Sequence, residues 1–168
     1  LFDKLIETVD GQNASKSLLL NSQISEVVQQ LKDYFKKEID TQILNIQSEI
    51  TINTISFPNE YFLCIYKYLI QESLRTYHDG ITIEIKIKTW SNHDLNFNIS
   101  IENNCNSQHY FEITSQFLED SEKIDDNVLM EVHMAKQQIH YFGGSYKISR
   151  KEPIGNIVTI NLPIKKNN

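Results

Sequence analysis

Apolar and polar positions change period several times along this chain, and each change marks an element. Leu1, Leu5 and Val9 stand at helical spacing until the turn-forming run GQNASKS, residues 11–17, interrupts them. The spacing predicts the last turns of a helix feeding a new domain. Leu18–Leu20 form a short apolar run, read as a strand, and Ile24, Val27, Val28, Leu31 and Phe35 then recur at i, i+3, i+4, i+7 and i+11, the pattern of an amphipathic helix. From about Thr41 the period shortens, with Leu44, Ile46, Ile50 and Ile52 among polar residues as in a strand. Past Phe57 and Pro58 the helical period returns, placing Phe62, Tyr66, Leu69, Ile70, Ser73 and Tyr77 on one face, with Pro58 near the helix start.

Two alternating strands come next. Ile81, Ile83, Ile85 and Ile87 alternate with Thr82, Glu84, Lys86 and Lys88, and Leu95, Phe97, Ile99 and Ile101 alternate with Asn96, Asn98 and Ser100. A polar, weakly periodic stretch from Asn103 to Asp126 ends in Asp125-Asp126-Asn127, a helix N-cap cluster. Leu129, Val132, Ala135, Ile139 and Phe142 define a third helix, stopped by Gly143-Gly144. Tyr146 and Ile148, a turn around Pro153 to Gly155, and Val158, Ile160, Leu162 and Ile164 complete a hairpin. Strands apolar on one face only, interleaved with helices, predict an α/β (α+β) two-layer sandwich: a mixed sheet covered on one face by about three helices. Residues 1–16 read as the end of a preceding helix and a linker, and residues 17–168 as one domain. No repeat or low-complexity linker interrupts it.

The chain has 168 residues and a formal net charge of −6, enough for one core without disulfides or a structural metal. No hydrophobic run reaches the length of a membrane span, and residue 1 is Leu, so the chain is expected to be a soluble segment of something longer. Acidic balance and scattered Lys and Arg argue against a nucleic-acid surface. Cys64 and Cys105 fit neither a zinc site nor a disulfide framework, which suits a reducing, cytoplasmic setting. The five histidines lack metal-ligand spacing, and His133 and His140, at i and i+7, are expected on the exposed side of the third helix. No Ser/His/Asp or Cys/His nucleophile arrangement occurs.

The order of helix, two strands, polar loop, helix, Gly-Gly, hairpin and Leu-Pro resembles the ATP-binding domain of sensor histidine kinases, the GHKL or Bergerat fold, over residues 17 to 164. Three stretches carry the resemblance. AKQQIHYFGGSYKISRKEPIGNIVTINLPI matches the family's closing helix, Gly-Gly, hairpin and Leu-Pro ending; YLIQESLRTYHDG falls on its N box; ISIENNCNS falls on its first glycine box. In the family, an Asn on the N-box helix holds magnesium; Glu72 stands there. Tyr68 replaces the box's earlier Asn, and Arg75 keeps the basic position that faces phosphate. Asn103 takes the place of the Asp that reads the adenine amino group, with an oxygen still able to accept, but both glycines of that box are gone.

The second glycine box, which brings backbone N–H groups to phosphate at a helix N-terminus, falls on Leu129 and Glu131. Of five glycines, Gly80, Gly143, Gly144 and Gly155 match framework positions and none remains for either phosphate-facing box. Glu72 beside a triphosphate without metal is repelled by about 4 kcal/mol at about 4 Å and an effective dielectric of about 20. The resemblance therefore implies a degenerate ATP-binding domain of a sensor histidine kinase or phosphorelay protein in two-component signalling, working by docking, with no cofactor expected. Its site would be vestigial, made of Glu72, Arg75 and Asn103 and obstructed by Tyr68, Leu129 and Glu131. Its partners would be its own helical dimerisation and phosphoacceptor domain or a response-regulator-type protein, with the parent a homodimer, and with no nucleic acid or membrane contact by this segment. One alternative is an active domain binding Mg–ATP through Glu72, Arg75 and Asn103, with Glu72 as metal ligand and residues 106–126 as a lid. Another is a stand-alone, anti-sigma-like regulator. The bland readings are a solvated Glu72 paired with Arg75, three positions on, and Asn103 and Asn104 as turn residues.

Overall fold

The computed structural model describes residues 22–78, 80–92, 96–106, 108, 110–112, 115 and 130–163. The helix expected at Leu1–Val9, the strand at Leu18–Leu20, Leu95, Asp125, Asp126, Leu129 and Ile164 lie outside them, as does the side chain of Glu131. The elements run β1 (Ser22–Gln23), α1 (Ile24–Tyr34), α2 (Lys36–Asp40), β2 (Leu44–Ile50), β3 (Thr54–Ile55), α3 (Asn59–Leu74), β4 (Ile83–Asn92), β5 (Asn96–Asn103), α4 (Met130–Tyr141), β6 (Ser145–Arg150) and β7 (Asn156–Pro163).

Five strands form one mixed sheet in the order β2-β4-β5-β7-β6, and β1 pairs with β3 in a two-stranded sheet beside it. β2 and β4 are parallel because α3 intervenes as a crossover; the remaining pairs are antiparallel. Register puts Ile85, Ile87, Ile101, Ile99, Val158 and Ile160 on one face, and Lys86, Lys88, Ser100, Glu102 and Thr159 on the other. The apolar face meets the helices: α1 packs on β2, α3 on α1, α4 and β4.

The helical period places Phe62, Ile65, Tyr66, Leu69 and Ile70 of α3 in full burial, each aliphatic side chain stabilising the fold by about 1.5–3 kcal/mol. Phe57 joins the start of α3 to the end of α4, its ring centroid 4.8 Å from Phe62 and 5.2 Å from Phe142. Gly143, at φ 78°, ends α4, and a Cβ on Gly144 would lie 2.7 Å from the Asn161 carbonyl oxygen. That pair lets the helix end press onto β7.

The structure departs from the sequence reading in several places. The first helix breaks at Phe35, whose ψ of 23° turns the chain before the polar α2. Tyr77 lies beyond the end of α3 yet still packs against the core. β4 begins at Ile83, leaving Ile81 56% exposed. His133, expected at the surface, is buried beside Gln137, while His140 is exposed and bonds the Tyr146 hydroxyl at 3.1 Å. Lys136 of the same helix is also buried. The buried face of α4 is therefore wider than its apolar residues indicate. Among the described residues no helix is long and apolar enough to cross a membrane.

Candidate functional site

The C-terminal half of α3, the end of β5 and the start of β7 meet at a cluster of buried polar side chains. Ser73, on the buried side of α3, donates to the Leu69 carbonyl at 2.9 Å, and its hydroxyl oxygen accepts from Asn103 Nδ2 at 3.1 Å. Asn103, the last residue of β5, is buried. Its side-chain oxygen accepts from Cys105 N at 3.1 Å, Asn156 N at 3.1 Å and Asn156 Nδ2 at 3.2 Å. Three donors saturate an amide oxygen, and the amide nitrogen is committed to Ser73. Asn156 Nδ2 also reaches the Cys105 carbonyl at 3.2 Å, whereas Asn156 Oδ1 is buried with no protein partner.

This closure requires Gly155. Its φ is 120°, and a Cβ there would stand 2.0 Å from the Asn103 carbonyl oxygen. Asn104 instead supports β4. Its oxygen accepts from Glu84 N at 2.9 Å and its amide donates to the Thr82 carbonyl at 3.0 Å, extending the edge of that strand with a side chain.

Tyr110 lies in the stretch after β5, where residues 108 and 110–112 are helical. It is 4% exposed. Burial pushes its hydroxyl well above the usual tyrosine range, opposed by a hydrogen bond with Ser73 and assisted by Cys105, Glu72 and Tyr68 around it. Burial likewise raises the Cys105 thiol, whose sulfur lies 3.8 Å from the Ser73 carbonyl. Arg150, at the end of β6, lies over the Phe111 ring at 4.4 Å and donates to Gln108 Oε1.

Glu72 and Tyr68 lie near enough to Tyr110 to act on its hydroxyl through their charge. Arg75 Nε is 3.5 Å from Glu72 Oε1, with the Arg75 side chain 71% exposed. Its other neighbours belong to a cleft of about 420 Å³ lined by Tyr34, Phe35, Glu38, Gln71, Leu74 and Arg75. So the structure places Asn103 in the buried cluster with Ser73 and Asn156, and pairs Glu72 with the exposed Arg75. Tyr110, Ser73 and Asn156 were missed in the sequence. The available signal was Tyr110-Phe111, an aromatic pair inside a mostly polar stretch. No group of three or more His, Cys, Asp or Glu able to hold a metal occurs among the described residues.

On the sheet's far face, Glu102 bonds Lys88 and Lys151, both at 3.1 Å. Burial acts to raise its pKa, but the two ammonium groups outweigh that and hold it below the usual glutamate value.

A five-stranded mixed sheet in this order, with helices packed on its apolar face, is the architecture of histidine kinase ATP-binding domains. The chain has that fold. It is similar to the nucleotide-free catalytic domain of histidine kinase ThkA, with a TM-score of 0.63 and 13% identity over 85% of this chain and 94% of that one. Histidine kinase AdeS of Acinetobacter baumannii gives 0.59 and 15%, over 87% of this chain and 67% of that one. ThkA in complex with the response regulator protein TrrA gives 0.60 and 14%, over 85% and 41%. No protein-family model matches the sequence, and no curated protein matches it.

Proposed function

We propose that this chain is a kinase-type ATP-binding domain of a two-component signalling protein that has given up nucleotide chemistry and works by docking. Its partners are its own helical dimerisation and phosphoacceptor domain or a response-regulator-type protein, the kind of partner with which ThkA was solved. The parent protein is a homodimer and this domain is cytoplasmic.

The observation that carries the reading is the occupancy of Asn103. An adenine amino group would need its side-chain oxygen, and that oxygen already accepts three protein donors. Freeing it would orphan buried N–H groups, at about 1–3 kcal/mol for each. Tyr110 adds a second obstacle, since it is almost fully buried beside Ser73. Magnesium fits no better, because Glu72 is a single carboxylate already paired with Arg75 and Mg²⁺ requires near-ideal octahedral oxygen coordination. Mg–ATP bound through Glu72, Arg75 and Asn103 would have to break each of these contacts, so no phosphoryl-transfer step is assigned to these residues.

Isothermal titration with Mg–ADP tests the reading. The expected outcome is no binding heat at ligand concentrations near 1 mM, about the 4.1 kcal/mol affinity limit. Saturable binding that disappears in Glu72→Ala would restore the active-kinase reading.

A further inference from the structure

Arg75 lines a cleft of about 420 Å³ that shares no residue with the buried cluster of Ser73, Asn103 and Asn156. The cleft lies where α1 bends into α2 at Phe35, with Tyr34, Phe35 and Glu38 on one side and Gln71, Leu74 and Arg75, at the end of α3, on the other. Phe35, 3% exposed, and Leu74 supply its apolar lining. Tyr34 is 54% exposed and yet held in place: Lys67 Nζ lies 4.2 Å from its ring centroid, Gln71 Nε2 donates to its hydroxyl at 3.4 Å, and its ring meets Phe35 edge-on at 4.8 Å. The aromatic wall is thus formed in advance of any ligand, as is usual for small-molecule sites.

Two opposite charges complete the lining. The Arg75–Glu72 contact runs from Nε to Oε1 at 3.5 Å, longer than the about 2.7–2.9 Å of a charge-assisted hydrogen bond, and Arg75 has no other partner among the described residues. A guanidinium so loosely held can still take a carboxylate on its fork. The Glu38 carboxylate has neither a hydrogen bond nor an ion pair among the described residues. A simple anion would meet Glu38 and a simple cation would meet Arg75, whereas one small molecule carrying a carboxylate and an ammonium satisfies both.

We propose that this cleft binds a small zwitterion, a free amino acid with an apolar or aromatic side chain: its carboxylate on Arg75, its ammonium on Glu38 and its side chain against Phe35 and Leu74. The lining includes no Ser, Cys or His nucleophile, so the site is one for an effector. The proposal goes beyond the docking reading and does not depend on it.

Two-dimensional amide NMR of the full chain tests it, with L-phenylalanine and L-leucine titrated to about 10 mM, tenfold above a millimolar dissociation constant. Saturable shifts confined to the α1–α2 bend and the end of α3 are expected with at least one of the two. N-acetyl-L-phenylalanine, which lacks the ammonium, and L-phenylalaninamide, which lacks the carboxylate, should each bind about tenfold more weakly than L-phenylalanine or worse. Arg75→Gln should weaken the free amino acid about tenfold and leave the amide unchanged, and Glu38→Gln should do the same with the N-acetyl compound as its indifferent ligand. Should either variant fail to fold, the blocked ligands still decide. No saturable shift with either amino acid, shifts centred elsewhere, or equal affinity for blocked and free ligands would overturn the proposal. The Mg–ADP outcome turns on Asn103 and Glu72, not on Glu38, so either reading can fail without the other.

Discussion

Replacing Asn103 by Ala removes the hub on which the ends of β5 and β7 are joined. Its oxygen serves two backbone N–H groups, of Cys105 and Asn156, and the Asn156 amide, and its nitrogen serves Ser73. Asn156 Nδ2 retains the Cys105 carbonyl, so the truncation orphans chiefly the two backbone donors and the Ser73 acceptor. Each buried orphan costs about 1–3 kcal/mol, with the backbone donors dominating, which puts the loss at about 3–5 kcal/mol. Domains of this class unfold at about 5–15 kcal/mol, so about a fifth or more of the total stability is at stake. The midpoint of thermal unfolding should fall by about 6–20 °C, at about 2–4 °C per kcal/mol for a chain of this size. Urea unfolding followed by far-UV circular dichroism measures it, with an unchanged m-value as the check that the native state remains compact. Asn104→Ala is the control: it also removes two bonds, but at a half-buried position where water can replace them, and about 1 kcal/mol is expected. A loss of less than about 1 kcal/mol in Asn103→Ala, or one equal to the control, would refute the claim that Asn103 is structurally committed.

Gly155→Ala should be costly whatever the surroundings, because its φ of 120° disfavours a side chain and the new Cβ would strike the Asn103 carbonyl at 2.0 Å. A loss of about 3 kcal/mol or more is expected by urea unfolding. Glu102 gives a pH signature. Its folded pKa lies below the unfolded value, so its contribution is fully present above the unfolded value of about 4.3 and is lost as pH falls through the folded one. Glu102→Gln should cost about 1–2 kcal/mol at neutral pH, reduced from the full charged-bond value because both lysines are about one-third exposed, and should flatten the acid slope of stability. Equal acid slopes in the parent and Glu102→Gln would show that the lysines confer nothing.

The elements legible in the sequence are those whose pattern repeats. α1 and α3 carry apolar residues every three to four positions, and β4, β5 and β7 alternate strictly, so side-chain period alone identified them. The framework glycines were readable for a related reason: Gly143, Gly144 and Gly155 occupy positions where a Cβ meets backbone or the chain turns to positive φ. α2 was not legible, since Lys36–Asp40 has no apolar stripe and follows α1 after a single kinked residue. Burial of His133 and Lys136 escaped because a polar side chain counts as exposed in any hydrophobic pattern, although α4 is covered over more than its apolar face. The parallel pairing of β2 with β4 is likewise a matter of which strands meet, not of what either strand contains.

The same division runs through the site. The resemblance read from the sequence implied that the phosphate-facing positions hold no glycine and that Glu72 takes the place of a metal-holding amide. It could not show what those residues do instead, because hydrogen bonds between residues 73, 103 and 156 depend on where α3, β5 and β7 end relative to one another. From sequence Asn103 was a weakened adenine reader or a turn residue. Folding makes it the saturated hub between two strand ends, and it places Tyr110 against Ser73 from thirty-seven positions away in the chain. Local periodicity determined the elements, since it acts through neighbours in the chain; tertiary packing alone decided how Ser73, Asn103 and Asn156 are partnered, since that is a contest among groups brought together only by the fold.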